Sequence, residues 1–488
     1  MTTLGYTKQY VQEDYQDSMS FVPHSVRTEH TARAITAQRI TTSIRPLGGS
    51  SISQGGNLIF QLPYGEQAGF MKAGSAYIRA DLTVQGASST GTWGFAGSMG
   101  DASTLINQAN ITLGGAQVEN ILYVNKLTSN VINPWMTSAS YLNNLSLTSG
   151  LCGGQYNQKS ITYDASQTNT AQVNNMPYKN FVNTVATSQT TAVAGNDNPK
   201  LLIPLHFLGL FNGGDSIQSI PLCLLNSPLQ AQFLMSSVYD ALWSSPTFTP
   251  SGWTLNNIEL IYEKINPEPS YIHELKQQMA SKLYVIPLTT VQSITFQGGS
   301  NTSYNASLNS SAVKGASFGY LPVANQASSA STSKAFSAPT GAYSALDTNG
   351  GVFNRILLLD GEPCDLFPDV CIDAPTKIAE NYRMVSGQVF SDPEVSVNII
   401  NVGDTRYGDN SFGTYYGSNT VSMFNLQPYT PEVGVVMNGK PVNIANFIAR
   451  WLQPVSTVAY SSNDAWYGYF FIQELLCISG DGSATIVK

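Results

Sequence analysis

His273-Glu274-Leu275-Lys276-Gln277 opens like the zinc-binding helix of a metalloprotease, where two histidines one helical turn apart hold the metal and the glutamate between acts as base. Gln277 stands where the second histidine is required, and a single His cannot build that site. The run from Gly434 to Lys440 nearly spells a phosphate-cradling loop. Its next residue, Pro441, has neither a hydroxyl for magnesium nor an amide to aim at a phosphate, so Asn438-Gly439 reads as the turn between two strands. Asp360, Glu362, Asp365, Asp369 and Asp373 offer hard oxygen ligands for calcium. They lack the order of a calcium loop and are broken by Pro363 and Pro368, so a solvated acidic loop is expected. Cys152, Cys223, Cys364, Cys371 and Cys477 show neither a CxxC nor a Cys/His zinc spacing; Cys223 and Cys477 lie in apolar runs and read as core. His24, His30, His206 and His273 are unclustered, and no GxSxG elbow occurs. A general acid–base site has little material here, and no catalytic, cofactor-binding or metal residue is assigned.

Composition points toward surface and shape. At 488 residues the chain has room for roughly two to four domains. Charged residues are 11%, aromatic residues 10% and the net charge is −8, which together describe a folded chain with a neutral polar surface. Hydroxyl and amide side chains suit wide contacts between identical copies, because they avoid like-charge repulsion and ion desolvation. The first residues lack a basic stretch followed by an apolar one, and no apolar run is long enough to span a membrane. The expectation is a chain made in a reducing cytoplasm and not secreted by a signal peptide. The sequons at Asn110, Asn144, Asn301, Asn305 and Asn309 are then by-products of an Asn/Ser-rich composition. Arg27, Arg33, Arg39 and Arg45 recur in steps of six. They read either as an extended arm facing nucleic acid or a membrane surface, or as solvated arginines of a docked tail; the acids Glu13, Asp14 and Asp17 favour the tail.

The elements that would carry this surface are strands. Leu58–Leu62 ends at Pro63, and Tyr77–Val84 mostly alternates apolar and polar. Ile111–Leu113 and Ala116–Val118 flank Gly114-Gly115, a hairpin signal. Residues 121–134 suggest a short helix, and 140–200 a long polar loop. Ile203-Pro204-Leu205 and Ile220-Pro221-Leu222 look like two apolar strands that each begin at proline, followed by strands at 229–235 and 255–265. Ser270 is placed to N-cap a helix over 271–280. A second series then begins with Leu283–Leu288 and Val291–Phe296. It continues through a Ser/Ala/Asn-rich insertion at 298–350 broken by 313–321, a strand at 355–359, a helix at 376–385 and a Tyr/Gly/Asn loop at 401–430. It closes with strands at 442–452 and 466–478. Trp253, Trp451 and Trp466 are candidate buried anchors.

The Tyr77–Val84 strand, the 111–121 hairpin, the two Ile-Pro-Leu triplets and the Asn257–Leu260 strand running into a linker helix together resemble the double jelly-roll major capsid proteins of tailless icosahedral DNA viruses. The resemblance covers about residues 50–488. It implies an all-β chain of two consecutive eight-stranded antiparallel jelly rolls with short helices and long loop insertions. The parts would be an N-terminal arm (1–45), a first jelly roll (46–268), a linker helix (269–281) and a second jelly roll (282–488). It further implies pseudo-hexagonal homotrimeric capsomers that tile an icosahedral shell in the virion. Loops 140–200, 298–350 and 401–430 would form outward towers. Partners would be neighbouring capsomers and penton and minor capsid or cement proteins, with the arm and its arginines under the shell against genome or an internal membrane. A virion spike or lectin-like β-sandwich shares the composition and stays open as an alternative.

Overall fold

The computed structural model describes residues 37–87, 90–97, 100–136, 149, 183–186, 200–212, 219–244, 249–280, 282–298, 301–321, 323, 326, 334, 336, 352–364, 421–426, 439–453 and 463–487. Its strands, in chain order, are β1 (Ala37–Ile44), β2 (Ile52–Ser53), β3 (Asn57–Gln61), β4 (Phe70–Lys72), β5 (Tyr77–Ala87), β6 (Thr90–Phe95), β7 (Ile106–Leu113) and β8 (Ala116–Leu122). Then follow β9 (Asn183–Ala186), β10 (Lys200–Pro204), β11 (Ser219–Ile220), β12 (Leu229–Met235), β13 (Leu242–Ser244) and β14 (Thr249–Pro267). Helix α1 (Pro269–Met279) precedes β15 (Tyr284–Gln297), β16 (Asn301–Leu321), β17 (Val352–Leu359), β18 (Glu362–Pro363), β19 (Val421–Asn425), β20 (Lys440–Gln453), β21 (Ala465–Ile478) and β22 (Ala484–Val487).

Pairing resolves these strands into the same eight-strand plan used twice. Before α1, one layer runs β1-β14-β5-β10, with β2, β4 and β11 as short additions, and the facing layer runs β3-β12-β7-β8. Numbering the eight principal strands in chain order, the layers read 1-8-3-6 and 2-7-4-5, the order of a jelly roll. After α1 the strands form one connected sheet because β16 belongs to both layers. Its first part, Asn301–Ser307, pairs with β20, and its last part, Val313–Leu321, pairs with β21 and β19. The layers become β15-β21-β16-β19 and β16-β20-β17-β18, again 1-8-3-6 and 2-7-4-5.

The bend in β16 has a local cause. The ladder slips at Ser307/Ser310 and again at Ser310/Val313. Asn309 takes a left-handed φ of 46°, and its side-chain amide donates to Ser307 Oγ at 3.0 Å. Short polar side chains that bond their own backbone suit such a bulge. The Ser/Asn-rich stretch that looked like a loop from 298 is therefore strand from Asn301 onward. Val421–Asn425, expected inside a loop, is likewise strand β19. Residue placement also corrects the prolines: β10 ends at Pro204, and β11 ends at Ile220, just before Pro221 and a 3-10 turn over Leu222–Leu224. Proline has no N–H to give the ladder, and it holds the preceding residue extended, so it closes these strands and does not open them. Pro287 sits within β15, which is the edge of its sheet, the place where a strand proline is ordinarily accommodated.

Helix α1 begins with Pro269 in its first turn after Glu268, and no side chain caps it; Ser270 lies inside the helix. Proline's fixed φ and absent N–H serve the first turn directly. The helix expected near 121–134 is present as Val124–Leu127 continued by a wider turn, Thr128–Met136. The 376–385 helix and most of the 140–200 and 401–430 loops lie outside the described residues. In β14, the ladder to β5 slips between Asn256 and Glu259, where Asn257 has φ 52° and donates to Asp81 Oδ2 at 2.7 Å. Asn257→Ala is expected to lower stability by about 1 kcal/mol, because alanine loses that bond and tolerates the left-handed region less well; thermal melting checks it.

Two cores follow from the duplication. Between the first pair of layers lie Phe60, Phe233, Leu82, Ile111 and Trp253, all essentially inaccessible. Between the second pair, Phe318 stacks on Phe447 with ring centres 4.0 Å apart and meets Phe470 edge-on at 5.6 Å. Trp466 is buried there too, and the Trp451 side chain lies outside what is described.

Candidate functional site

The alternation that buries one face of β3, β12, β7 and β8 turns the other to solvent. Registry aligns that outer face into three rows: Gln61–Gln230–Thr112–Gln117, Ile59–Gln232–Asn110–Asn120 and Asn57–Leu234–Gln108–Leu122. Eight of these twelve positions are carboxamides, and none carries a charge. Neighbours across the strands bond one another: Gln108 Nε2 donates to Asn120 Oδ1 at 2.9 Å, and Gln117 Nε2 to Asn110 Oδ1 at 3.2 Å. In a chain of net charge −8, a broad face without charge lets identical copies approach without repulsion. On the second roll the rows Ser303–Ile448, Asn305–Asn446 and Ser307–Ile444 of β16 and β20 likewise carry no charge. Ile444 is 53% exposed there. The contrasting layer carries its charge as surface pairs, Arg79–Glu259 at 2.7 Å and Lys72–Glu263 at 3.1 Å.

The junction between the rolls is built differently. β15 lies against β8 and against the turn Gly209–Asn212. Tyr469 Oη donates to the Tyr123 carbonyl at 3.1 Å, and the Tyr123 and Tyr467 rings meet edge-on at 5.2 Å. Phe336 N–H donates to Asn130 Oδ1 at 3.1 Å, and the Phe336 ring stacks on Tyr467. Buried charges gather at this seam. Lys126 Nζ lies 3.1 Å from Asp240 Oδ1 with its side chain almost wholly enclosed. Lys334, nearby, is pushed down to about 8 by burial and by Lys126, against the pull of Asp240. Lys314, also enclosed, donates to Thr289 Oγ1 at 3.1 Å. Glu119 is fully buried and accepts from Leu210 N–H at 2.6 Å. None of these residues stands out in the sequence, since the groups they meet, Asp240, Thr289 and Leu210 among them, lie elsewhere along the chain.

Residues singled out for chemistry do not converge. His273 lies exposed on α1, with a ring nitrogen 2.9 Å from Gln277 Nε2. His206 is buried, and burial lowers its pKa against the field of Asp101. Asp360 accepts from the backbone N–H groups of Asn443 at 3.2 Å and Ile444 at 2.9 Å, so its carboxylate clamps a turn; Glu362 pairs with Lys440 at 3.6 Å. Asp365, Asp369, Asp373 and Gly434 to Asn438 lie outside the described residues. Among the described residues no group of three or more His, Cys, Asp or Glu could hold a metal, and no helix is long and apolar enough to cross a membrane. Cys223 and Cys477 are buried and free. Arg39 lies on β1 and pairs with Glu263, Arg45 is exposed, and Arg27 and Arg33 are outside the described residues.

No family model matches the sequence, and no curated protein matches it. Solved structures match over both rolls. The Faustovirus major capsid protein aligns with a TM-score of 0.56 at 10% identity, covering 93% of this chain and 92% of its own. PBCV-1 VP54, fitted into a reconstruction of the virophage Sputnik, aligns at 0.53 and 11% identity over 93% of this chain and 98% of its own. The Sputnik virophage structure itself aligns at 0.53 and 12% identity, covering 95% and 91%. The fold is the double jelly roll. At such identity the shared property is backbone architecture, and the double jelly roll leaves the surface chemistry of each chain free to differ.

Proposed function

We propose that this chain is a viral major capsid protein, a non-enzymatic subunit that works by assembling with copies of itself into an icosahedral shell. The carrying observation is the jelly-roll order, 1-8-3-6 over 2-7-4-5, occurring twice in one chain. Two like rolls side by side let one polypeptide fill two neighbouring places in a lattice, and three chains then supply six. In this reading the second roll is 282–488, 269–281 links it to the first, and the first roll, expected over 46–268, begins earlier, at Ala37, because β1 within the expected 1–45 arm is its first strand. The uncharged outer faces are the contact surfaces, and the chain resides in the virion.

Each such sheet face spans only about four strand spacings, so one contact is weak and the shell depends on repetition. The test is the oligomeric state of the purified chain by size exclusion with light scattering, with negative-stain images of the product. A trimer or shell is expected, and a dispersed monomer that binds a glycan would favour the spike or lectin-like alternative. Placing lysines at Gln232 and Asn110 sets like charges at every copy's contact and is expected to weaken association at least about tenfold. Thr485→Lys, on exposed β22, should leave it unchanged. Assembly untouched by the paired lysines would remove this face from the interface.

A further inference from the structure

Glu119 is an acid in the wrong place for a charge. It lies on the inner side of β8, opposite Ile111, where the first roll meets the second. Its Oε1 accepts from Leu210 N–H at 2.6 Å. Its other oxygen, Oε2, is enclosed and has no hydrogen-bond partner. The turn that supplies Leu210 is pressed onto the second roll so closely that a Cβ on Gly209 would lie 2.0 Å from the Thr289 carbonyl oxygen. The Gly209–Asn212 turn brings no charge, and β15 carries none along its length. From β21 comes a second enclosed acid, Glu474, close enough to oppose ionisation of Glu119. From β16 comes Lys314, whose Nζ is bonded to Thr289.

We propose that Glu119 is a proton-controlled latch between the two jelly rolls: as a neutral acid it seals the junction, and on losing its proton to solvent it loosens it. An enclosed carboxylate with one oxygen unsatisfied and another acid beside it is poorly tolerated, whereas the neutral acid leaves only a hydroxyl without an acceptor. Burial, reinforced by Glu474 and opposed by the Leu210 amide, carries the group from the ordinary 4.5 up to about 8. Its folded pKa is raised, so the closed junction holds one proton more than the opened one between those values. The stabilisation is complete below the lower value and is lost as pH rises through the upper one.

Two measurements on the full chain test this. In heavy water near neutral pH, the infrared spectrum should contain the carbonyl stretch of a neutral carboxylic acid, and Glu119→Gln should remove it. Amide protection at residues 116–122, 209–212 and 284–297, corrected for the intrinsic rate, should fall by up to about tenfold per pH unit toward pH 8, as release of one proton on opening requires. Protection should be flat with pH in Glu119→Gln. The proposal is overturned if the acid band is absent from the native chain, if its protection at those segments does not change with pH, or if Glu474→Gln and not Glu119→Gln abolishes the dependence. Should Glu119→Gln fail to fold, the band and the protection profile of the native chain decide the matter alone.

Discussion

Phe318→Ala should unfold the second roll before the first, at a cost of about 3–5 kcal/mol. The Phe318 ring is the hub of the second core: it stacks on Phe447, meets Phe470 and Phe424 edge-on, and sits where Gly468 has no side chain, since a Cβ there would lie 2.7 Å from it. Truncation leaves a void walled by stiff aromatic rings on both layers, which cannot collapse to fill it. Urea unfolding followed by aromatic fluorescence should show an early transition absent from the native chain, because the cluster around Phe318 is separate from the one that fills the first roll and the junction. Phe318→Leu should recover most of the loss. A single unshifted transition would show that the second core does not depend on this ring.

Gly209→Ala is expected to be nearly as damaging, for a different reason. The added methyl would meet backbone, the Thr289 carbonyl at 2.0 Å, and would also crowd Glu119 Oε1 at 3.1 Å. Backbone cannot swing aside as a side-chain tip can, so the turn must lift away from β15, at about 1–3 kcal/mol or more. The loss should fall on the junction, so protease cleavage in or near α1 should accelerate while the barrel cores stay protected. Gly115→Ala provides the comparison. Its φ of 85° strains alanine but nothing lies within 4 Å, so it should cost only about 1 kcal/mol and leave cleavage at α1 unchanged. Equal effects from the two substitutions would mean that conformational strain, and not the close approach of the rolls, governs Gly209.

Several parts of the fold were legible because a local signal and the tertiary requirement agreed. Tyr77–Val84 alternates since one face of β5 meets the core, and Gly114-Gly115 makes the β7–β8 turn with φ of 59° and 85°. The strand expected over 255–265 and the helix expected over 271–280 are also present, though β14 is longer and α1 starts at Pro269 without the Ser270 cap. The prolines of the two Ile-Pro-Leu triplets were placed at the wrong ends of their strands: a proline bounds a strand, but which side it bounds depends on where the neighbouring strand stops. The bend in β16 was hidden for a similar reason. Ser and Asn over 301–310 resemble loop residues, and only the partners β20 and β21, more than a hundred residues away, draw them into two layers at once.

The sequence by itself determined an all-β chain of two like halves, a low-charge amide-rich surface and the absence of a recognisable catalytic motif, since strand period, turn residues and composition are local properties. Only the tertiary structure decided which amides share a face and which charges are buried. The carboxamide rows arise from the pairing of β3, β12, β7 and β8, two of whose three contacts join distant segments. Glu119 looks like an ordinary surface acid until the turn at Gly209 and the strand at Thr289 close over it. Burial is a property of what packs against a residue, and here the packing partners come from segments distant along the chain, in the same roll or the other.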